Sequence, residues 1–191
     1  MAIRKKFMIN NSKLRYILTV DGLDYYFFKP SFRHWFFEDW DGYIEDKEKH
    51  SIRQRVRMFI EWIWGGYYIY YAGKSESLLG YVLVARGGRR ITCSDKKDVV
   101  LGPYYTLTAK RGHGIMPRIL NTALHDLPIV YENAYCYIKK DNIASIRAAS
   151  KCRFQIYGQA EMRGILRKLY LTNNENSLFY IFKYINDMSI N

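Results

Sequence analysis

The chain has 191 residues, is 49% hydrophobic and carries a formal net charge of +12. This length predicts one domain with a sizeable core. No run of about 18 apolar residues suggests a membrane-spanning helix, and the basic N-terminus lacks the features of a signal peptide. Three cysteines without a CxxC pair argue against a disulfide framework or a zinc site and favour a reducing cytoplasm.

The first third of the chain predicts a strand, an aromatic and acidic segment, and a long helix. Residues 14–20 are apolar and β-branched, and Asp21-Gly22 ends them as a turn. A short helix is expected to begin at Pro30-Ser31. Gly65-Gly66 ends the long helix. The helix has an apolar face that is expected to turn inward, formed by Ile52, Val56, Phe59, Ile60, Ile63 and Trp64.

The middle of the chain predicts a hairpin and an interrupted strand. Residues 67–72 and 78–86 are apolar and flank a short polar loop, which is typical of two paired strands. Residues 98–108 are predicted to form the next strand, but Gly102-Pro103 lies within it. Because proline cannot donate to a sheet ladder, this pair predicts a bulge, an edge or a break.

The last part of the chain alternates helices and strands. The helix over 114–125 is expected to bury Ile119, Leu120, Ala123, Leu124 and Leu127. Residues 133–139 predict a strand, and Asp141-Asn142 caps a third helix whose inward residues are Ile143, Ile146 and Ala149. One or two strands follow in 153–171 and another in 177–184. This interleaved order predicts an α/β fold (α+β mixed) around one mixed sheet.

An anion site is predicted at residues 110–115, where a strand leads into a helix. The first amides of a helix have no intrahelical acceptor, and the helix dipole adds partial positive charge there. Gly112 and Gly114 allow a phosphate to approach the backbone, and Arg111 adds a cation that can bind bidentately. The segment lacks the third glycine of the dinucleotide fingerprint and the Gly-Lys-Ser/Thr of a P-loop.

Two segments together resemble the GNAT superfamily of acyl-CoA-dependent N-acetyltransferases. Residues 98–120 are similar to its strand-loop-helix core, whose loop pattern Arg/Gln-x-x-Gly-x-Gly/Ala corresponds to 111–116. Residues 133–157 are similar to the strand and helix that follow. The positions of that second segment that match are Asn142, Ser145, Lys151 and Phe154.

The resemblance covers residues 80–157 well and implies an architecture for the whole chain. It implies a single domain over 1–191, with a central mixed, splayed sheet and helices on both faces. Residues 80–157 would form the cofactor-binding core. Residues 1–66 would contribute helices on the acceptor side.

The resemblance implies acetyl-CoA as the acyl donor and no metal. The pantetheine arm would lie between two splayed strands, beside the backbone of Tyr105, Thr106 and Leu107. Asn142 and Ser145 would complete the cofactor site. The loop that would hold the pyrophosphate comprises Arg111, Gly112, His113, Gly114, Ile115 and Met116. The other histidines, His34, His50 and His125, show no metal-ligand spacing.

Three residues depart from the family pattern. Met116 replaces a small residue, and Arg153 stands where a glycine usually precedes the phenylalanine. Ala149 occupies the place where many members carry the tyrosine that protonates the leaving thiolate, so the general acid is unassigned. No glutamate lies on the strand over 98–108 to act as a base. The candidates for proton roles are Tyr104, Tyr105 and Ser150; core packing is the ordinary role of such tyrosines.

The acceptor is expected to be a small amine bound by the N-terminal segment. Aromatic rings between residues 25 and 43 suit sugar rings or bases, and the acids between 38 and 48 suit a cationic amine. A core and a solvated loop would explain them as well. The candidate substrate-binding residues are Trp35, Asp39 and Trp40. Residues 102–120 also resemble a bacterial subgroup associated with surface polysaccharides, which favours an amino sugar, free or nucleotide-linked.

Two alternatives remain open. A peptide or protein N-terminal amine is the second candidate acceptor. A non-catalytic nucleic-acid-binding domain would use the net charge of +12 and the 18 tyrosines. Residues 110–153 hold eight basic and three acidic side chains, but the sequence has neither a stacking-platform motif nor a continuous basic run. The sequence indicates no oligomeric state.

Overall fold

A computed structural model of the chain describes residues 14–33, 36, 52–74, 77–164 and 167–186. The described residues form one nine-stranded sheet and three α-helices. The strands are β1 (Leu14–Val20), β2 (Leu23–Phe28), β3 (Tyr67–Lys74), β4 (Ser77–Arg86), β5 (Val99–Thr106), β6 (Ala134–Lys139), β7 (Phe154–Arg163), β8 (Lys168–Thr172) and β9 (Phe179–Tyr184). The helices are α1 (Ile52–Gly65), α2 (Ile115–Asp126) and α3 (Ile143–Lys151).

The sheet is mixed, as predicted, in the order β1-β2-β3-β4-β5-β6-β9-β7-β8. β5 and β6 run parallel, joined by the α2 crossover, and the other neighbouring strands are antiparallel. The strand at 14–20 and the hairpin of β3 and β4 are confirmed. Residues 23–28, expected only as part of an aromatic segment, form β2. β9 inserts between β6 and β7, an order that the sequence did not reveal.

Helices cover both faces of the sheet, as predicted. On one face, α2 and α3 pack on alternate strand residues such as Tyr70, Val82 and Leu101. The predicted buried side of α2 is confirmed, since Ile119, Leu120, Ala123 and Leu124 are buried and Leu127 packs partly buried against them. On the other face, α1 contributes Met58 to a core with Tyr71 and Leu83.

α1 is confirmed as a helix, but the prediction of its inward face is wrong. The apolar residues of the predicted face are between 39% and 81% exposed. The face that meets the sheet carries Met58 and Glu61, which are 3% and 6% exposed. Glu61 tolerates burial because Arg89, from the loop after β4, forms an ion pair with it. The spacing of apolar residues alone cannot reveal that distant partner.

The prediction that a helix begins at Pro30-Ser31 is wrong for the described residues there. Ser31 forms a β-bridge, and residues 32–33 form a turn. Trp35, Asp39 and Trp40 lie outside the described residues. In the described part of the chain, no helix is both long and apolar enough to cross a membrane.

The predicted interruption at Gly102-Pro103 is confirmed. Opposite it, the register between β4 and β5 shifts between Val82 and Val84. Parallel pairing of β5 with β6 ends where Leu101 faces Cys136. Beyond that pair, β5 stays on β4 through residue 106 and β6 stays on β9 through residue 139. The two strands therefore separate, and we call the opening between them the wedge.

Candidate active site

A cavity of about 530 Å³ opens at the wedge, on the face covered by α2 and α3. Its walls are the end of β5, the turn that follows, the first turn of α2, and α3. We call it the wedge cavity. The predicted cofactor residues that line it are Tyr105, Thr106, Arg111, Gly112, Gly114, Ile115, Met116, Asn142 and Ser145.

Two other predicted cofactor residues do not line the cavity. The N–H of Leu107 donates to the Leu79 carbonyl at 2.9 Å, and the Leu107 carbonyl accepts from Lys110 N–H at 2.8 Å, so both backbone groups are already bonded. Its side chain packs against the cores of the sheet. His113 is exposed, and its Nδ1 lies 2.9 Å from the Arg111 carbonyl oxygen.

The turn before α2 has the backbone shape that the glycines suggested. Gly112 and Gly114 have φ of +82° and +70°, a region in which side chains other than glycine's are strained. Gly114 is the N-cap of α2 and offers no side-chain cap to the helix. The N–H groups of Ile115 and Met116, in the first turn, therefore have no acceptor within the helix. Together with the helix dipole, they favour an anion in the cavity.

The cavity wall is strongly basic. Four cationic side chains line it, and none of the described lining residues is acidic. Sequence reasoning selected only one of the four for this site. The other three, Lys110, Arg147 and Lys151, belong to the basic stretch of 110–153, which was the signal available for them. Arg147 and Lys151 lie on α3, across the cavity from Lys110 and Arg111 in the turn.

Four side-chain hydrogen bonds fix the elements around the cavity. Arg111 Nε donates to the Thr106 carbonyl at 3.2 Å, which ties the turn to β5. Tyr104 Oη donates to the Ser145 carbonyl at 3.3 Å, which ties β5 to α3. Cys152 Sγ donates to the Pro117 carbonyl at 3.1 Å, which ties α3 to α2. Asn142 Oδ1 accepts from Ser145 N–H at 3.1 Å, so the predicted N-cap is confirmed. The inward positions of α3 are confirmed for Ala149, but Ile143 is 52% exposed.

The candidates for proton roles occupy different places. Tyr104 lines the cavity, and burial raises the pKa of its phenol above the ordinary value of 10.0, so the hydroxyl stays protonated into the alkaline range. Tyr105 also lines the cavity, but its ring stacks on Tyr81 with centroids 6.1 Å apart, and Tyr81 packs against the core on the α1 face. The Arg111 guanidinium lies 5.7 Å from the centroid of the Tyr105 ring. Ser150 is exposed and is not part of the cavity wall.

The structure shows where the three residues that depart from the family pattern lie. Arg153, at the usual glycine position, has φ of +61°, the left-handed region that favours glycine. Ala149 is fully buried against the core rather than on the cavity wall. Met116 is 7% exposed and lines the cavity. No group of three or more His, Cys, Asp or Glu side chains among the described residues could hold a metal ion.

Comparison with known proteins identifies the fold. No protein-family model and no curated protein sequence matches the chain. A protein from Acinetobacter baylyi assigned as an acetyltransferase matches with a TM-score of 0.56 and 18% identity, over 86% of this chain and 94% of that one. RimL, a ribosomal-protein alpha-N-acetyltransferase, matches with a TM-score of 0.55 and 15% identity, over 91% and 95%.

A third structure, the microcin C7 self-immunity acetyltransferase MccE, was solved with acetyl-CoA and AMP. It matches with a TM-score of 0.54 and 14% identity, over 87% of this chain and 94% of that one. The chain therefore has the fold of the GNAT superfamily of N-acetyltransferases. The predicted fold class, with its splayed mixed sheet and helices on both faces, is confirmed.

Proposed function

We propose that this protein is an N-acetyltransferase that moves an acetyl group from acetyl-CoA to a primary amine. The observation that carries the proposal is the wedge cavity, in which first-turn amides of α2 meet four cationic side chains and no described carboxylate. Coenzyme A carries a pyrophosphate and a further phosphate, and such groups bind well to helix N-termini and basic side chains.

Residues of the cavity would divide the binding of the donor between them. The turn over 112–116 would hold the pyrophosphate. The edge of β5 at 104–106, which has no parallel strand partner among the described residues, would align the pantetheine arm. The Thr106 carbonyl accepts from Arg111 Nε, so the arm would bond to the other backbone groups of this edge. Asn142 and Ser145 would contact that arm from α3. His113 and Leu107, which do not line the cavity, have no place in this arrangement.

The reaction needs little from the protein beyond positioning and proton transfer. The amine nitrogen forms a bond to the acetyl carbon as the carbon–sulfur bond breaks, the nitrogen loses a proton, and the sulfur gains one. Tyr104 is the first candidate to give that proton, because it lines the cavity. Its hydroxyl donates to the Ser145 carbonyl at 3.3 Å and would turn from that carbonyl to the sulfur. Tyr105 is the second candidate.

An amino sugar, free or nucleotide-linked, is the proposed acceptor, in keeping with the resemblance to the surface-polysaccharide subgroup. The presence of AMP in the MccE structure supports an acceptor that includes a nucleotide. The name of RimL supports the second candidate, a peptide or protein amine. The proposed setting is the cytoplasm, where acetyl-CoA is available.

Two measurements test this function. Calorimetry should show acetyl-CoA binding, and a thiol-release assay should then show turnover with some members of a panel of amino sugars, nucleotide-linked amino sugars, polyamines and peptides. Turnover of peptides alone would replace the sugar assignment with the second candidate. No acetyl-CoA binding at millimolar concentration, together with salt-sensitive binding of RNA or DNA, would favour the non-catalytic alternative.

A further inference from the structure

An arginine cleft lies on the face of the sheet opposite the wedge cavity. Arg57 and Glu61, one turn apart on α1, and Arg90, from the loop after β4, line it together with Gly102 and Tyr137. The Nε of Arg90 donates to Tyr137 Oη at 3.1 Å. Gly102 marks the point where β5 leaves β6, so the cleft opens on the same wedge.

Positive charge in this cleft exceeds the negative charge that faces it. Glu61 is paired with Arg89, and only 7% and 14% of these two side chains is exposed. Arg86 also borders the cleft, but its Nη1 is bonded to the Val130 carbonyl at 3.1 Å. The pairing of Glu61 leaves Arg57 and Arg90 without a carboxylate of their own among the described residues that line the cleft.

Arg57 is the least satisfied of these groups. Within the described structure, Nε of Arg57 and Nε of Arg89 have no hydrogen-bond partner. Burial, and then the positive charge of Arg90, lower the pKa of Arg57. The guanidinium nevertheless stays charged at neutral pH, because arginine is protonated across the physiological range. Nε of Arg57 is buried as well as unpartnered, so an anion that reached this guanidinium would stabilise it.

The loop that carries Arg90 is held in place without a ligand. Ile91 is fully buried beside it. The N–H of Leu169 donates to the Arg90 carbonyl at 2.9 Å, and Thr92 N–H donates to the Leu169 carbonyl at 3.0 Å. Ser94 Oγ also donates to the Ile91 carbonyl at 2.8 Å. Because the backbone is already fixed, binding here would cost little ordering entropy.

The cleft lies close to the place where the acetyl group would be transferred. Tyr105, which lines the wedge cavity, lies three residues beyond Gly102 on β5. At about 3.3 Å per residue, this separation is about 10 Å. A small acceptor could therefore place its amine at the wedge and another group in the cleft.

Resting on the proposed function, we propose that Arg57 and Arg90 bind an oxyanion, a phosphate or a carboxylate, carried by the amine acceptor. A guanidinium matches either group with two parallel hydrogen bonds. The cleft has about 10 Å³ of free space, about that of one water molecule. Because this space is too small for a phosphate or a carboxylate, the proposal requires that the Arg90–Tyr137 hydrogen bond breaks and that the Arg90 side chain turns outward, to bind the oxyanion together with Arg57 at the mouth of the cleft.

A matched set of acceptors tests the proposal. Glucosamine, glucosamine 6-phosphate and the corresponding 6-carboxylate share one amine and differ in the group at C6. The wild-type enzyme should show a lower KM for at least one anionic sugar than for glucosamine, and the comparison of the two anions distinguishes phosphate from carboxylate. Arg57→Gln and Arg90→Gln should each raise that KM about tenfold to a hundredfold, the usual effect of a lost charged hydrogen bond. KM for acetyl-CoA should not change.

Arg163→Gln is the control, since Arg163 is an exposed arginine on β7, outside both sites. If the wild type uses neutral and anionic sugars equally, or if neither cleft variant changes KM for the anionic sugars, the proposal is overturned. Circular dichroism establishes that each variant is folded. If Arg57→Gln does not fold, the KM of Arg90→Gln for the anionic sugars tests the proposal alone.

A second readout is independent of catalysis. Inorganic phosphate should raise the melting temperature of the wild type, and part of this shift should be lost in Arg57→Gln and Arg90→Gln but kept in Arg163→Gln. An equal shift in all four proteins overturns the proposal even if the enzyme is active. Absence of acetyl-CoA binding would instead overturn the proposed function. The effect of phosphate on the melting temperatures would then still show whether the cleft binds an oxyanion.

Discussion

Leu101 of β5 faces Cys136 of β6 at the last parallel pair of the sheet, and the two strands separate from that point on. Both faces of the sheet become accessible there. The wedge cavity lies on the α2 and α3 face, and the arginine cleft lies on the α1 face. One break in pairing thus brings a basic cavity and a second group of cations close together.

Gly114→Val should weaken acetyl-CoA binding through the local shape of the turn. Gly114 has φ of +70° and no heavy atom within 4 Å of an added Cβ, so the strain is conformational. Gly22 is a matched control, with φ of +69° and equally open space in the β1–β2 turn. Both valine variants should lose about 1–2 kcal/mol of stability.

Only Gly114→Val should lose acetyl-CoA affinity, by at least about tenfold. Calorimetry and thermal unfolding of the two proteins, run in parallel, measure both quantities. Equal affinities in the two variants would show that the turn does not contact the donor.

Two substitutions of Asn142 should separate its role as the N-cap of α3 from its role in binding acetyl-CoA. Asn142→Ala removes the acceptor for Ser145 N–H and should cost about 1 kcal/mol of stability. Asn142→Asp keeps a good N-cap but places a carboxylate on the cavity wall, where it would repel the phosphorylated donor. We expect the aspartate variant to be the more stable and the weaker binder of the two. The opposite order of acetyl-CoA affinities would argue against donor binding at α3.

Tyr104→Phe should lower kcat about a hundredfold, the lower range for loss of a general acid, with little change in acetyl-CoA affinity. Because burial raises the pKa of Tyr104 above its ordinary value of 10.0, the donor form persists at neutral and mildly alkaline pH. The contribution of Tyr104 to kcat should therefore be lost only as pH rises above 10.

Two variants accompany this kinetic test. Tyr105→Phe examines the second candidate, and Ser150→Ala examines an exposed residue away from the cavity wall. Full kcat in Tyr104→Phe would remove Tyr104 from the mechanism. A selective loss in Tyr105→Phe would transfer the role to that phenol.

Glu61→Gln should destabilise the protein strongly, because it leaves Arg89 and its neighbours half-buried without their carboxylate. Breaking one side of a buried ion pair costs about 3–5 kcal/mol. The exposed pair of Lys97 and Glu132 provides the control, and Glu132→Gln should shift the melting temperature little. Inorganic phosphate should partly restore the melting temperature of Glu61→Gln. A Glu61→Gln protein as stable as the wild type would show that the arginines need no counter-ion.

Local features of this fold were predictable from residues that lie close together in the sequence. The left-handed glycines 112 and 114 shape the turn, and Asn142 caps α3 through a contact only three residues away. Gly102-Pro103 marks the break in the sheet for an equally local reason, the missing N–H of proline. These features are set by backbone conformation and short-range hydrogen bonding, so the sequence by itself determined the basic turn and the point of strand separation.

The tertiary structure decided which side chains from distant parts of the sequence face each other. Periodicity predicted α1, yet the face that turned inward carries Glu61, whose partner Arg89 lies 28 residues away in the sequence. Arg147 and Lys151 join the basic turn only because α3 packs against α2 across the wedge cavity. Tyr137 reaches Arg90 from 47 residues away. Such long-range contacts depend on the order of strands in the sheet, which the pattern of any single segment does not encode.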